Sequence, residues 1–101
     1  MRAFRLDIPL HITERIPTLH PEINKSLKAA LRAVAEDPSR GQPLLRELKG
    51  YWKYRVRRFR IVYSVDRPHR LIRILAIGHR LKIYEEVAEQ VKLQRKSETS
   101  G

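Results

Sequence analysis

The sequence predicts an α+β domain: a small, twisted, mainly antiparallel sheet with a helical hairpin on one face and a C-terminal helix. Three observations carry this prediction. Segments with helical apolar spacing occupy the first third of the chain, strand-like alternation of basic and apolar residues follows, as in Trp52–Arg57, and a last helical stripe comes after it. The predicted element order is β-α-α-β-β-β-α. With 101 residues, the chain is expected to form one small domain.

The first elements are a short strand and two helices. Residues 4–8 alternate apolar and polar side chains, which predicts the strand. Residues 12–19 carry apolar side chains at helical spacing, and Pro17 makes this first helix short or bent. Pro21 begins a clearer helix, because proline is favoured in a first turn, and the sequence Asp-Pro-Ser-Arg-Gly at 37–41 ends it.

Three strands and a helix complete the domain. The strands are predicted at Tyr51–Arg57, Phe59–Val65 and Leu71–Ile77, and short loops between them imply antiparallel pairing. The third is nearly all apolar apart from Arg73, so we expect it to be the central strand, with the first strand of the chain beside it. An apolar stripe predicts a final helix over 83–91, so that residues 1–91 form the domain and 92–101 a polar, frayed tail.

Nearly all of the net charge lies in one part of the chain. The stretch from Leu48 to Tyr84 holds eleven Lys or Arg residues and one acid, Asp66, whereas the remaining residues hold eleven basic and ten acidic side chains. Ordered basic residues on a sheet suit a polyanion, and nucleic acid is the obvious candidate. A membrane surface is the weaker interpretation, because the basic residues do not follow one face of a helix.

Composition excludes several kinds of chemistry. Cysteine is absent, which rules out disulfides, thiolate nucleophiles and cysteine-ligated metals. The spacing of His11, His20 and His69 matches no metal site, so neither a metal nor a cofactor is implied. No apolar run is long enough to cross a membrane and no secretory signal is visible, so we expect a cytoplasmic protein without a membrane partner.

Side-chain alternation brings basic residues to one face of the sheet. Lys53 and Arg55 point away from the face of Trp52, and Arg60 on the next strand shares their side. If the helical hairpin covers the aromatic face, these three cations converge on the other one. Arg80 follows the third strand, and its side chain can lie on either face of the sheet, depending on the turn at Gly78. Cations held this close repel each other unless an anion lies among them.

Four short motifs from this region resemble those of the RelE/ParE toxin superfamily, and its RelE-like branch in particular. The motifs are Lys53-x-Arg55, the run Arg-Phe-Arg-Ile-Val-Tyr over 58–63, Gly78-His79-Arg80, and Tyr84. The resemblance extends from about Phe4 to Glu86, with the same order of elements.

The resemblance implies a toxin that cuts mRNA in the ribosomal A site. It implies a metal-independent endoribonuclease, with the mRNA and the ribosome as partners and an acidic antitoxin that neutralises the toxin. Carried over position by position, the catalytic residues are Lys53, Arg55, Arg60, Arg80 and Tyr84, with His79 added because some relatives use a histidine there. Further basic residues expected to contact RNA are Lys49, Arg57, Arg58 and Lys82.

RNA cleavage by the neighbouring 2′-hydroxyl gives these residues chemical roles. Arg60 and Arg80 suit bidentate contact with the phosphate. The general base is either Lys53 or His79. Tyr84 either stacks on a base or positions the nucleophile.

Other interpretations remain open for the same residues. Lys53 and Arg55 also fit a solvated sheet face, His79 a packing role at a strand end, and Tyr84 a place in the core. Arg55 departs from the lysine that is frequent in the family, and arginine is a poor general base. A non-catalytic ParE-like toxin that inhibits DNA gyrase, or a plain RNA-binding module, is the alternative function.

Overall fold

The computed structural model describes residues 3–79 and 82–99, and it confirms the α+β prediction. The strands are β1 (Arg5–Asp7), β2 (Gln42–Pro43), β3 (Tyr51–Val56), β4 (Phe59–Asp66) and β5 (Leu71–His79), and the helices are α1 (Leu10–Arg15), α2 (Pro21–Glu36) and α3 (Ile83–Thr99). Single 3-10 turns lie at Ile16–Thr18, Pro38–Arg40 and Arg46–Leu48. Within the described residues, no helix combines the length and apolar character that a membrane crossing requires.

The five strands form one sheet in the order β1-β5-β4-β3-β2. β1 pairs with β5, which confirms the prediction that the first strand lies beside the third meander strand. This pair is parallel, and all other pairs are antiparallel. β5 is an interior strand, although β4 occupies the middle of the sheet. The two-residue β2 was not predicted, because Gln42–Pro43 is too short to show any alternation.

The helical hairpin of α1 and α2 covers one face of the sheet. Proline at the first position of α2 and the His20 Nδ1 acceptor for the Glu22 N–H begin this helix. Its apolar stripe, with Leu27 and Val34 at 0% exposure, packs on the aromatic face of β3, β4 and β5. We call this group the hairpin core; its buried members are Ile12, Ile16, Leu27, Ala30, Leu31, Val34, Val56, Phe59, Ile61, Tyr63, Ile72, Ile74 and Ile77.

The opposite face is covered at its centre by α3 and is not wholly open. Ile83, Val87 and Val91 follow each other at four-residue intervals and are buried against Val62 and Ala76. We call these five residues the α3 core. The basic part of this face lies beside the helix.

The α3 helix extends further than the sequence predicted. Residues 92–99 belong to the helix, whereas we expected a frayed tail from Lys92 onward. The segment Lys-Leu-Gln-Arg-Lys-Ser-Glu-Thr contains no glycine or proline and consists mainly of good helix formers, so nothing ends the helix after its apolar stripe.

A β-bulge interrupts the pairing of β4 with β5. Val62 pairs with Ala76 and Tyr63 with Ile74, so Leu75 is an extra residue in β5. Ile74 and Ile77 therefore both belong to the hairpin core although they are three residues apart. Every side chain of β5 after Leu75 lies on the face opposite to the one that strict alternation predicts.

Candidate functional site

Three of the predicted site residues lie together on the α3 side of the sheet. Arg55 on β3 pairs directly with Arg60 on β4, and Lys53 pairs with Val62, the next residue of β4 on the same face. Directly opposed side chains have Cβ atoms about 5 Å apart, and diagonal neighbours such as Lys53 and Arg60 are roughly 7–8 Å apart. We call Lys53, Arg55 and Arg60 the basic cluster. It is a concentration of positive charge suited to a phosphate.

The Arg60 side chain is held by the turn between β3 and β4. Its Nη1 donates to the carbonyl oxygens of Arg57 at 3.1 Å and Phe59 at 2.8 Å. These bonds fix the guanidinium at the end of the cluster, and its Nε and Nη2 carry further N–H donors. Arg60 is therefore positioned in advance of any ligand.

Tyr84 lies against Lys53 at the first turn of α3. The Lys53 Nζ is 5.9 Å from the centre of the Tyr84 ring, within reach of a cation–π contact. Tyr84 is half-buried and packs against the α3 core. It therefore combines the two roles that sequence reasoning left as alternatives: it is both a packing residue and a neighbour of the basic cluster.

His79 does not join the basic cluster. It pairs with Phe59, and its ring centre lies 4.8 Å from that of Phe59 on the hairpin side of the sheet. Strict alternation along β5 would have put His79 on the α3 side, and the bulge at Leu75 reverses this. His79 is exposed, and its ring contacts Phe59 on the face opposite to the basic cluster.

The remaining basic residues that were predicted to contact RNA are all exposed. Arg57 and Arg58 form the tight turn between β3 and β4 and are exposed, and Arg57 adopts a left-handed φ of 55°. Arg57 also lies 3.8 Å from the Glu22 carboxylate, an exposed ion pair that contributes little to stability. Lys49 directly follows the 3-10 turn Arg46–Leu48, Lys82 directly precedes α3, and both are exposed. The predicted site residue Arg80 lies outside the described residues.

A groove of about 440 Å³ begins at the basic cluster and reaches a segment that sequence reasoning did not assign. Lys53, Tyr54, Arg55 and Arg60 line one side, and Arg40, Gly41 and Gln42 line the other. Two of these residues, Arg40 with its guanidinium and Gln42 with its side-chain amide, carry polar groups that suit a nucleotide. The only feature of the sequence near these two residues is the turn-forming composition of 37–41, which indicates a loop and not a site.

The second wall of the groove is anchored by a buried tyrosine. The Tyr63 hydroxyl donates to the Pro38 carbonyl oxygen at 2.6 Å, and burial raises the pKa of Tyr63 to about 12. Asp37 accepts from the N–H of Ser39 at 3.0 Å and from its hydroxyl at 2.6 Å, and these bonds hold the pKa of that carboxyl below its ordinary value. The wall is a built part of the fold.

Within residues 3–79 and 82–99, no group of three or more His, Asp or Glu residues is arranged to hold a metal ion. Asp66 and His69 form a closed pair at 2.9 Å in the loop between β4 and β5, and hydrogen bonds from His69 lower the Asp66 pKa. This pair therefore belongs to the loop and not to the groove.

Solved toxin structures have the same fold. The RelBE2 toxin–antitoxin complex from Mycobacterium tuberculosis contains a chain that is 27% identical, with a TM-score of 0.68 over 79% of this chain and 94% of that one. A mutant of the Escherichia coli toxin RelE in the free state is 22% identical, with a TM-score of 0.66 over 92% and 97%. The YoeB/ParE toxin from Agrobacterium tumefaciens is 18% identical, with a TM-score of 0.64 over 74% and 96%.

The family of this chain is shown by its match to a protein-family model. No curated protein sequence matches this chain significantly. Residues 4–84, however, match the model described as ParE toxin of type II toxin-antitoxin system, parDE. This match covers most of the chain and includes the basic cluster and Tyr84. The chain therefore belongs to the ParE toxin family of type II toxin–antitoxin systems, within the RelE/ParE superfamily.

Proposed function

We propose that this toxin is a metal-independent endoribonuclease that cleaves mRNA in the ribosomal A site. One observation carries the proposal: Lys53, Arg55 and Arg60 share a face of the sheet, and the Tyr84 ring lies 5.9 Å from the Lys53 Nζ. A strand of RNA offers both a phosphate for the cations and a base for the ring.

The reaction follows from the chemistry of RNA. The 2′-hydroxyl loses its proton and attacks the adjacent phosphorus, the bond to the 5′-oxygen breaks, and that oxygen takes up a proton. Arg60 stabilises the negative charge that grows on the phosphoryl oxygens, since its guanidinium is already fixed by Arg57 and Phe59. Arg55 adds positive charge at the same phosphate. In this proposal, Lys53 takes up the proton of the nucleophile, and Tyr84 holds the neighbouring base.

The competing base, His79, belongs to the other face of the sheet. Its ring packs on Phe59, with the sheet between it and the basic cluster. The variants Lys53→Gln and His79→Gln separate the two bases in the cleavage assay, because the residue that takes the proton is required for the reaction. A large loss of cleavage in His79→Gln, with cleavage retained in Lys53→Gln, would make His79 the base.

Direct cleavage is the test of the proposal. Purified toxin is added to ribosomes translating a defined mRNA, and the new 5′ ends are mapped. Arg60→Ala should lower the cleavage rate by about a hundredfold or more, the usual loss for one donor to a developing negative charge. Arg32→Ala is the matched control, since Arg32 is an exposed arginine of α2, which packs on the other face. Full cleavage by Arg60→Ala would contradict the proposal.

The cleavage assay also tests whether Tyr84 acts through its ring or through its hydroxyl. If the ring stacks on a base, Tyr84→Phe should keep most of the activity and Tyr84→Ala should lose it. Equal loss in both variants would show that the hydroxyl acts in the reaction. A thermal melt of each variant checks that α3 still packs on the sheet.

An acidic antitoxin is the proposed protein partner. The RelBE2 structure is a toxin–antitoxin complex, and the present chain carries a formal net charge of +11. Carboxylates laid across the basic cluster would relieve its internal repulsion, and apolar residues would cover the α3 side of the sheet. Co-expression with a small acidic protein encoded beside the toxin tests this, with relief of toxicity as the expected outcome.

Inhibition of DNA gyrase is the second candidate function. It is favoured by one observation: the matching family model describes a ParE toxin. A supercoiling assay with purified gyrase distinguishes the two. Inhibition of supercoiling together with uncut mRNA would establish the gyrase-type activity.

A further inference from the structure

The groove beside the basic cluster has a second wall that the proposed cleavage chemistry does not use. Arg40, Gly41 and Gln42 face Lys53, Arg55 and Arg60 across about 440 Å³. This volume falls in the range of roughly 300–1,000 Å³ that is usual for small-molecule sites. None of the residues that line the groove is acidic. The space therefore suits a second nucleotide, next to the one at which the chain is cut.

Gln42 points into this space from the edge of the sheet. It pairs with Lys53 in the β2–β3 register, and paired residues of antiparallel strands share a face. Leu44, two residues further along, packs against the α3 core, which confirms that this face is the α3 side. Gln42 is exposed, so its amide is available to a ligand. The amide offers one acceptor and two donor hydrogens.

Arg40 supplies positive charge on the same wall. Its Nη1 lies 3.9 Å from the Glu36 carboxylate, and both side chains are more than half exposed, so this ion pair holds the guanidinium only weakly. A phosphate entering the groove competes easily for it, because a bidentate guanidinium–phosphate contact is stronger than a long, solvated ion pair.

Contacts on the inner side of this wall hold it in place. The Tyr63 hydroxyl binds the Pro38 carbonyl oxygen at 2.6 Å, just before Arg40. A methyl group on Gly41 would collide with the Tyr63 hydroxyl and would lie 2.6 Å from the Lys53 carbonyl oxygen, so only glycine allows this close approach. A fixed wall lowers the entropic cost of binding and holds Gln42 at a constant distance from Lys53.

We propose that the wall of Arg40 and Gln42 binds the nucleotide next to the cleaved bond and selects its base. This rests on the proposed function, because the site is an extension of the cleavage site. The Gln42 amide pairs with a base edge that presents a donor beside an acceptor, and adenine, with its N6 amino group and N7, is the base that glutamine matches best. Arg40 contacts the phosphate of the same nucleotide. The ligand is single-stranded RNA, whose unpaired bases expose these edges.

Binding of short RNAs tests the proposal without relying on cleavage. Tetranucleotides of A, C, G or U, blocked by 2′-O-methyl groups so that no hydroxyl can attack, are titrated with toxin and followed by fluorescence anisotropy. The wild type should bind the A tetranucleotide roughly 5- to 100-fold more tightly than the weakest of the others, the discrimination typical of a bidentate base contact. Gln42→Leu should remove this preference, since leucine has a similar size and no amide.

The Arg40 contact has its own readout. Arg40→Gln should weaken the binding of all four RNAs by a similar factor. It should also lower the slope of log affinity against log salt by about one unit, because one phosphate contact is lost. Arg32→Gln, which removes an exposed arginine from α2, should change neither affinity nor slope beyond the small effect of net charge.

The outcomes separate this inference from the function on which it rests. If the wild type and Gln42→Leu rank the four RNAs in the same way, the base-selecting role of Gln42 is wrong, whether or not mRNA is cut. If the ranking changes but ribosomal mRNA stays intact, the nucleotide site stands and the cleavage proposal falls. A change in the bases found beside the cut in Gln42→Leu would support both.

Discussion

Replacing Tyr63 with phenylalanine removes one buried hydroxyl and tests how the wall of the groove is held. Tyr63 is 0% exposed, and its hydroxyl donates to the Pro38 carbonyl oxygen at 2.6 Å. Without the hydroxyl, this carbonyl loses its partner in a region closed to water. The expected loss is about 1–2 kcal/mol of unfolding free energy, the usual cost of leaving one buried acceptor unpaired.

The assay is urea unfolding supported by a thermal melt. For a domain of this size, each kcal/mol corresponds to roughly 4–8 °C, so the Tm should fall by about 4–16 °C. Tyr54→Phe is the matched control, because it makes the same chemical change on the neighbouring strand and the Tyr54 hydroxyl shows no hydrogen bond among the described residues. If Tyr63→Phe unfolds at the same urea concentration as Tyr54→Phe, the anchoring role of the hydroxyl is refuted.

A double-mutant cycle extends the test to Gly41. Gly41→Ala alone should destabilise the protein, because its methyl group meets the Tyr63 hydroxyl and lies 2.6 Å from the Lys53 carbonyl oxygen. Combined with Tyr63→Phe, the conflict with the hydroxyl oxygen disappears, whereas the contacts with the Lys53 carbonyl oxygen at 2.6 Å and with the ring Cζ at 3.1 Å remain. The two losses should therefore sum to more than the loss in the double variant. Strict additivity would show that Gly41 and the Tyr63 hydroxyl are not in contact.

Two further predictions concern charge. Arg55→Gln should raise the unfolding free energy by about 0.2–1 kcal/mol at low salt, because Arg55 lies directly opposite Arg60, and this gain should vanish near 1 M salt; a gain unaffected by salt would argue against repulsion as its cause. Because the folded pKa of Asp37 lies below the ordinary value of 3.8, its contribution to stability is present above that pH and is lost as the pH falls through the folded pKa. Asp37→Asn should flatten this part of a plot of Tm against pH, and an unchanged profile would exclude Asp37 as the source.

Much of the fold follows from periodicity, because a regular apolar pattern shows which faces of an element are buried. The α2 stripe and the alternation of β3 and β4 predict their positions correctly, and the apolar β5 lies inside the sheet, one strand from its middle. The short β2 carries no such pattern, since Gln42–Pro43 is recognised only through its pairing with β3. The end of α3 was also missed, because a polar helix and a polar tail have the same composition.

The candidate site was predictable where strands are regular and not where they bend. Lys53, Arg55 and Arg60 lie together because β3 and β4 keep their alternation across the hairpin. His79 lies elsewhere because one extra residue, Leu75, reverses the faces of β5, and a bulge leaves no mark in a run of uniformly apolar residues. Gln42 escaped notice for a related reason: its place beside Lys53 is created by a contact distant in sequence, through Gly41 and Tyr63.

The packing of α3 and the assembly of the site are one property of this fold. Tyr84 directly follows Ile83, so the burial of Ile83 and Val87 against the sheet also sets the position of the Tyr84 ring beside Lys53. The α3 core has five buried residues in the described part of the chain, against thirteen in the hairpin core, so the helix should open locally at a lower cost than the sheet. Opening would remove Tyr84 from the cluster and leave the cations of β3 and β4 in place. A partner that displaces α3 would therefore disable the aromatic half of the site and gain access to the charged half in the same step.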